Sequence, residues 1–271
     1  MRLAVALVQL NATADVDANI ATAAALADEA AAGGARLVAL PEYLQYRGAD
    51  EGFRTSARPI PGPHTAPFAE IARRRGAWIL VGSTAEVSTD PARPFNSSAL
   101  IAPDGSVAAV YRKLHLFDVA VDDGPSDTES LRVTAGERLV TADLDGVTIG
   151  LTICYDLRFP ELYRALAVAG AQILTVPANF TERTGRDHWE VLLRARAIEN
   201  GAYVLAPAQI GGPPGQPAYG HSMVVDPWGT VIAQAPDSVG IIRADIETDR
   251  VAAVRRQIPV LANRRPEAYS G

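Results

Sequence analysis

At 271 residues, with 48% hydrophobic and 21% charged side chains, the chain has the composition of an ordinary soluble globular protein, long enough to bury a sizeable core. A formal net charge of -6 excludes the basic footprint of a nucleic-acid binder; the short clusters Arg73, Arg74, Arg75 and Arg264, Arg265 read as solvated helix ends or as contacts. A single cysteine precludes an internal disulfide, so the expected compartment is the cytoplasm.

The opening "MRLAVALVQLNA" carries one arginine and an apolar run broken by Gln9, which suits a first strand, Leu3 to Leu10, rather than a signal peptide. The other apolar runs are strand-sized, so no membrane span is expected. The sequons at Asn11, Asn96 and Asn179 are then accidental. A helix follows from about Asp17 to Ala32, closed by Gly33 and Gly34, then a strand from Arg36 to Leu40. A second helix starts near Pro67 and stops at Gly76, before a strand Trp78 to Val87. "NSSALIAPDGSVAAVYRK" predicts a hairpin turning at Asp104-Gly105.

The second half repeats the grammar without repeating the sequence. A hairpin at Asp145-Gly146 leads into a strand Val147 to Ile153, a helix Pro160 to Ala169, and a strand Gln172 to Val176. A helix His188 to Asn200, capped by Asp187 or Thr184, stops at Gly201 before a strand Tyr203 to Ala208. The Gly/Pro-rich loop Gly211 to Pro217, two strands flanking "DPWG" and a last strand Gly240 to Ile246 complete the pattern. The tail from Ile258 has no helical or strand period. With no repeat and no linker, one domain over residues 1–271 is the expectation, and alternating strands and helices with hairpins mixed in predict two sheets packed together under outer helices.

Neither G-x-G-x-x-G, nor a P-loop, nor C-x-x-C, nor H-E-x-x-H occurs, and His64, His115, His188 and His221 lie too far apart for a metal-ligand pattern. The remaining chemical candidate is Cys154, at the strand-to-helix turn of "GLTICYDLRFPEL". Backbone N–H groups and a helix N-terminus at such a turn favour a thiolate and bind a developing oxyanion. A lone thiol is equally at home as a small core residue. Two other strand ends carry complementary groups: Glu42 after "ARLVALP", and Lys113 after "SVAAVYR", with a surface carboxylate and a solvated strand end as their plain alternatives. Lys113 is the only lysine among 25 basic residues.

Taken together, "LVALPE", "YRKLHLFD" and "GLTICYDLRFPEL" resemble the nitrilase superfamily of carbon-nitrogen hydrolases, over nearly the whole chain. "TGRDHWEVLLRARAIENGAYVLAPAQ" and "YGHSMVVDPWGTVIAQ" are similar to its amidase branch, which includes deaminated glutathione amidase and omega-amidase. The resemblance implies an α/β fold, a four-layer αββα sandwich of two mixed sheets. It also implies a homodimer or larger homo-oligomer, no metal and no organic cofactor. By that similarity Glu42 is the general base, Lys113 the oxyanion cation and Cys154 the nucleophile, with Glu129 in "GPSDTES" as a second carboxylate. The implied partners are a small-molecule amide substrate and water, with no nucleic acid and no membrane; nitriles and N-carbamoyl amides are alternative substrates for the same three residues.

The lone lysine fits that role, because an ammonium reaches one oxygen in a narrow pocket where a guanidinium would crowd the sulfur. Arg183, Arg186 or His188 would bind a substrate carboxylate, unless they are merely the start of a helix. Tyr155 and Asn179 are further pocket candidates, with core packing and turn formation as alternatives. Arg158 is expected to pair with Glu51 or Asp156 as scaffold, and His188 or His221 would be the base in a rival Cys-His arrangement.

Overall fold

The computed structural model describes residues 1–122, 126–213 and 215–268. Among these, two six-stranded sheets share one plan. In the first, β1 (Arg2–Gln9) leads into α1 (Val16–Ala32), whose start is fixed by the Asp15 side chain accepting from the Ala18 N–H at 3.0 Å. Next come β2 (Leu37–Ala39), a short helix α2 (Asp50–Thr55), α3 (Ala66–Arg75) and β3 (Trp78–Glu86). Gly76 ends α3 in the left-handed conformation, φ 63°, as its predicted stop requires. β4 (Phe95–Ile101) and β5 (Val107–Arg112) form the predicted hairpin. β1, β2 and β3 run parallel, and β16, at the other end of the chain, closes the sheet against β1.

A small hairpin, β6 (Asp118–Ala120) and β7 (Ser126–Thr128), separates the halves. The second sheet is built from β8 (Thr141–Leu144), β9 (Val147–Leu151), α4 (Pro160–Val168), β10 (Ile173–Thr175), α5 (Glu182–Asn200) and β11 (Tyr203–Ala206). A two-stranded ribbon, β12 (Ile210–Gly211) with β13 (Ala218–Tyr219), precedes β14 (Met223–Val225) and β15 (Val231–Gln234). β16 (Gly240–Glu247) returns to the first sheet and α6 (Thr248–Gln257) follows it. Here β9, β10 and β11 are the parallel strands.

Strand alternation sorts the core into layers. Leu3, Val5, Leu7 and Leu37 point from the first sheet toward Ile149, Leu151 and Ile173 of the second, while Ala6, Val8, Val38 and Ile79 point the other way, onto Ala23, Ala27, Phe68 and Ile71 of α1 and α3. Leu166 of α4 and Trp189 and Leu193 of α5 cover the far face of the second sheet. The order is helices, sheet, sheet, helices: the expected four-layer αββα sandwich.

Three expectations need correction. α5 begins at Glu182, six residues before the predicted His188, with Thr181 at its N-cap position; Thr184 and Asp187 therefore lie inside it. Gly185 argues for a loop in the sequence, but a Cβ there would meet the Tyr219 side chain at 2.4 Å, so close packing of α5 on β13 accounts for the glycine. α6 was not anticipated, because only Val251 and Val254 of its ten residues are buried. No residue of the tail from Ile258 through Ala268 is buried, and a 3-10 turn spans Pro266–Ala268. No described helix is long and apolar enough to cross a membrane.

Candidate active site

Parallel strands leave their C-terminal ends along one edge of each sheet, where chain turns expose side chains. β2 stops because Pro41 supplies no N–H to extend it. The turn that follows is sewn to β3: Ser83 Oγ accepts from the Tyr43 N–H at 2.9 Å and the Ser83 carbonyl from the Leu44 N–H at 3.1 Å. Gly82 permits that contact, since a Cβ there would sit 1.7 Å from the Leu40 carbonyl oxygen. This places Glu42, 1% exposed, at the floor of a cavity between the sheets.

Lys113 extends β5 by one residue, its N–H donating to the Asn96 carbonyl at 2.9 Å. Its ammonium is 3.1 Å from Glu42 Oε1 and 2.9 Å from Glu129 Oε2. Glu129 opens a 3-10 turn after β7 and is held by the Tyr43 hydroxyl and the Phe117 N–H, both at 2.6 Å. Cys154 opens the 3-10 turn Cys154–Arg158 with φ 48°, a left-handed conformation costly for a residue with a Cβ and a recurring feature of functional turns. Its N–H donates to the Pro177 carbonyl at 2.9 Å, and the Glu42 carboxylate and the Asn179 N–H lie near its thiol.

All three predicted catalytic residues and Glu129 thus meet in one place. Glu42 accepts on both oxygens: from Lys113 and the Asn96 side-chain amide at 2.9 Å on Oε1, and from the Asn179 N–H at 2.7 Å on Oε2. Burial and the Glu42 charge push the Cys154 thiol well above its ordinary range, more than Lys113 pulls it down, so the resting sulfur is protonated and needs a base. For Lys113, burial lowers the pKa but Glu129 and Glu42 raise it further, which keeps the ammonium charged. For Glu129, burial is outweighed by Lys113 and its hydrogen bonds, and the carboxyl lies below its usual value.

The cavity above this floor has a volume of about 1110 Å³, and Tyr155, Asn179 and Arg183 line it as expected. Asn179 contributes its backbone N–H to Glu42, while its side-chain Oδ1 is buried without a hydrogen-bond partner. Arg186 also lines the cavity but pairs with Glu182 on its own helix. His188 lies outside the lining, its Nδ1 3.2 Å from Arg158 Nη1. Arg158 makes neither expected ion pair: Glu51 binds Arg54, Asp156 is satisfied by other donors, and the guanidinium lies over the Phe180 ring at 5.1 Å. His221 lies outside the lining too, stacked on Tyr219 at 4.2 Å, so the Cys-His arrangement has no base beside the sulfur.

Sequence reasoning missed Asn96, whose sequon is wholly buried, and Tyr43, which lies beside Glu42 and orients Glu129. It also missed Arg47, whose guanidinium reaches the Gly211 carbonyl at 2.9 Å and ties the loop after β2 to the Gly/Pro-rich loop lining the cavity. An arginine in "YRGAD" carries no mark of a partner 164 residues away. Among the described residues no group of three or more His, Cys, Asp or Glu is placed to hold a metal ion.

An acid, an ammonium and a thiol around one cavity, on an αββα sandwich, define a thiol hydrolase, and the carbon-nitrogen hydrolase family matches residues 4–256. The chain belongs to that family, and is a hydrolase of carbon-nitrogen bonds other than peptide bonds. It is 42% identical over 264 residues to deaminated glutathione amidase from Synechocystis sp., covering 96% of this chain and 97% of that one. It is 37% identical over 267 residues to omega-amidase NIT2 from Homo sapiens, covering 98% and 96%. The crystal structure of the C. elegans NitFhit protein superposes with a TM-score of 0.93 at 37% identity, covering 99% of this chain and 66% of that one.

Proposed function

We propose that the protein is a cysteine-dependent amidase that cleaves the carboxamide of a small acidic compound, of the deaminated glutathione or α-keto acid amide type, through a thioester. The observation that carries it is the convergence on Glu42: its carboxylate faces the Cys154 thiol and lies 3.1 Å from the Lys113 ammonium. Glu42 takes the thiol proton as the sulfur bonds to the amide carbon, and the oxyanion is held by Lys113 and by the Tyr155 N–H in the first turn after Cys154. Glu42 passes that proton to nitrogen, the carbon-nitrogen bond breaks and ammonia leaves. Water then gives a proton to Glu42 while its oxygen attacks the thioester, and the thiol is re-formed as the acid departs. Glu129 fixes Lys113 and prevents the ammonium from collapsing onto Glu42 alone.

An amide rather than a nitrile follows from the names of the relatives, and the acidic substrate from those names together with Arg183 on the cavity wall. With this activity we infer a single domain, a cytoplasmic location and a homodimer. Val191 and Ile198 expose one face of α5, 66% and 50% open, with Trp228 also exposed. Light scattering at micromolar concentration should give twice the chain mass.

Ammonia release from α-keto amides, deaminated glutathione, nitriles and N-carbamoyl compounds tests the reading. Acidic carboxamides should be consumed, and an acyl adduct on Cys154 should appear by intact mass and vanish in Cys154→Ala. Consumption of nitriles alone would refute it.

A further inference from the structure

Asp156 lies two residues beyond the nucleophile, fully buried, and among the described residues no arginine or lysine pairs with it. Its Oδ2 accepts from the Ile153 N–H at 2.8 Å and from the Tyr111 hydroxyl at 2.6 Å. Its Oδ1 accepts from the His115 N–H at 3.1 Å, and His115 Nδ1 lies 2.7 Å from the same oxygen. Ile153 immediately precedes Cys154, just past β9 of the second sheet; Tyr111, in β5 of the first sheet, and His115, beyond the end of that strand, flank Lys113 by two residues on either side. One carboxylate therefore joins the segment that carries the sulfur to the segment that carries the ammonium. A second strut runs alongside it, where the His115 ring stacks on Phe159 at 3.6 Å and 7°.

We propose that Asp156 is a positioning residue for the reaction, acting through Ile153, Tyr111 and His115 to fix the Cys154 sulfur against the Lys113 ammonium without touching substrate. This rests on the hydrolase reading above. Two features single out a carboxylate. The two backbone N–H groups, one from each catalytic segment, bind different oxygens, so the amide of asparagine satisfies one and turns an N–H against the other. Glutamate adds a methylene at a position that is 0% exposed. The clamp also stabilises a turn that begins in a left-handed conformation at Cys154, a geometry that persists only when its surroundings over-determine it.

The test uses the whole chain and two readouts. Asp156→Asn should lower kcat for a carboxamide by about 100-fold with KM little changed, the loss expected when reacting groups shift by about 1 Å. Global unfolding would lower the active fraction, but positioning has its own signature in the alkylation of Cys154 by iodoacetamide across pH. The charged groups facing the sulfur are Glu42, which disfavours the thiolate, and Lys113, which favours it. Asp156→Asn also removes a nearby negative charge, an effect of opposite sign that Tyr111→Phe does not carry, so the direction is read from Tyr111→Phe. Releasing Lys113 should move the alkylation profile to higher pH. Tyr111→Phe removes one hydroxyl from a retained buried ring, and should shift kcat and the profile the same way by a smaller amount, about 10-fold in kcat. If both variants alkylate with the wild-type profile, or lose kcat only in proportion to folded fraction by circular dichroism, the clamp is refuted and Asp156 merely holds a turn. A wild-type chain that releases ammonia from no carboxamide, while Tyr111→Phe still shifts alkylation, would refute the amidase reading and leave the clamp standing.

Discussion

The floor and the mouth of the cavity use charge in opposite ways. At the floor, Lys113 and its two carboxylates are 2% and 1% exposed, each carboxylate about 3 Å from the ammonium, with further donors closing their remaining oxygens. At the mouth, Arg186 and Glu182 form a pair 68% and 37% exposed, and Arg132 meets Asp127 and the open Asp50. A buried charge that loses its partner is left in a medium that cannot solvate it, whereas an exposed pair exchanges partner for water at little cost. The floor therefore fixes the chemistry and tolerates no exchange, while the mouth can vary with the substrate.

The contrast breaks most sharply at Lys113. Lys113→Met should abolish ammonia release and lower stability by about 3–5 kcal/mol, because Glu42 and Glu129 then face each other with no cation between them. Urea unfolding measures the second effect; a loss under about 1 kcal/mol would mean that the floor charges are solvated like those at the mouth.

A smaller effect tests the same contrast through pH. The Glu129 carboxyl lies below its usual value in the fold, since Lys113 and hydrogen bonds outweigh burial. A group lowered on folding contributes stability above its unfolded pKa and loses it as pH falls through the folded one. Melting temperature should therefore drop on acidification from about pH 5 downward, and Glu129→Gln should flatten that slope relative to the parent chain. A parallel slope in the two proteins would place Glu129 outside the linkage.

The smallest effect is expected at the mouth. Arg186→Ala should change stability by less than about 0.5 kcal/mol, as an exposed i,i+4 pair does. If it instead costs as much as a floor substitution, the distinction between the two regions fails.

How far the sequence foretold this site depends on what each residue answers to. Glu42, Lys113 and Cys154 sit at strand ends marked by Pro41, by the hairpin turn Asp104-Gly105 and by the apolar run ending at Ile153, so local pattern and family motif point to the same residues. Glu129 was reached by motif alone, since nothing local distinguishes it from the acids around it. Asn96, Tyr43 and Asp156 serve partners across the chain, 54, 86 and 45 residues away, and no periodicity encodes such pairings. The early start of α5 was hidden for a related reason: "ERTGRD" has no apolar stripe, and the packing of Gly185 on Tyr219 is visible only in the fold.

Burial of Lys113 has a practical corollary, because it is the chain's only lysine. The folded protein offers no lysine amine to bulk solvent, so amine-directed dyes, crosslinkers and acylating reagents reach this side chain only through the catalytic cavity or when the fold opens. Labelling at position 113 by a reagent too bulky for the cavity would then act as a clock for opening of the molecule, with no engineered probe required.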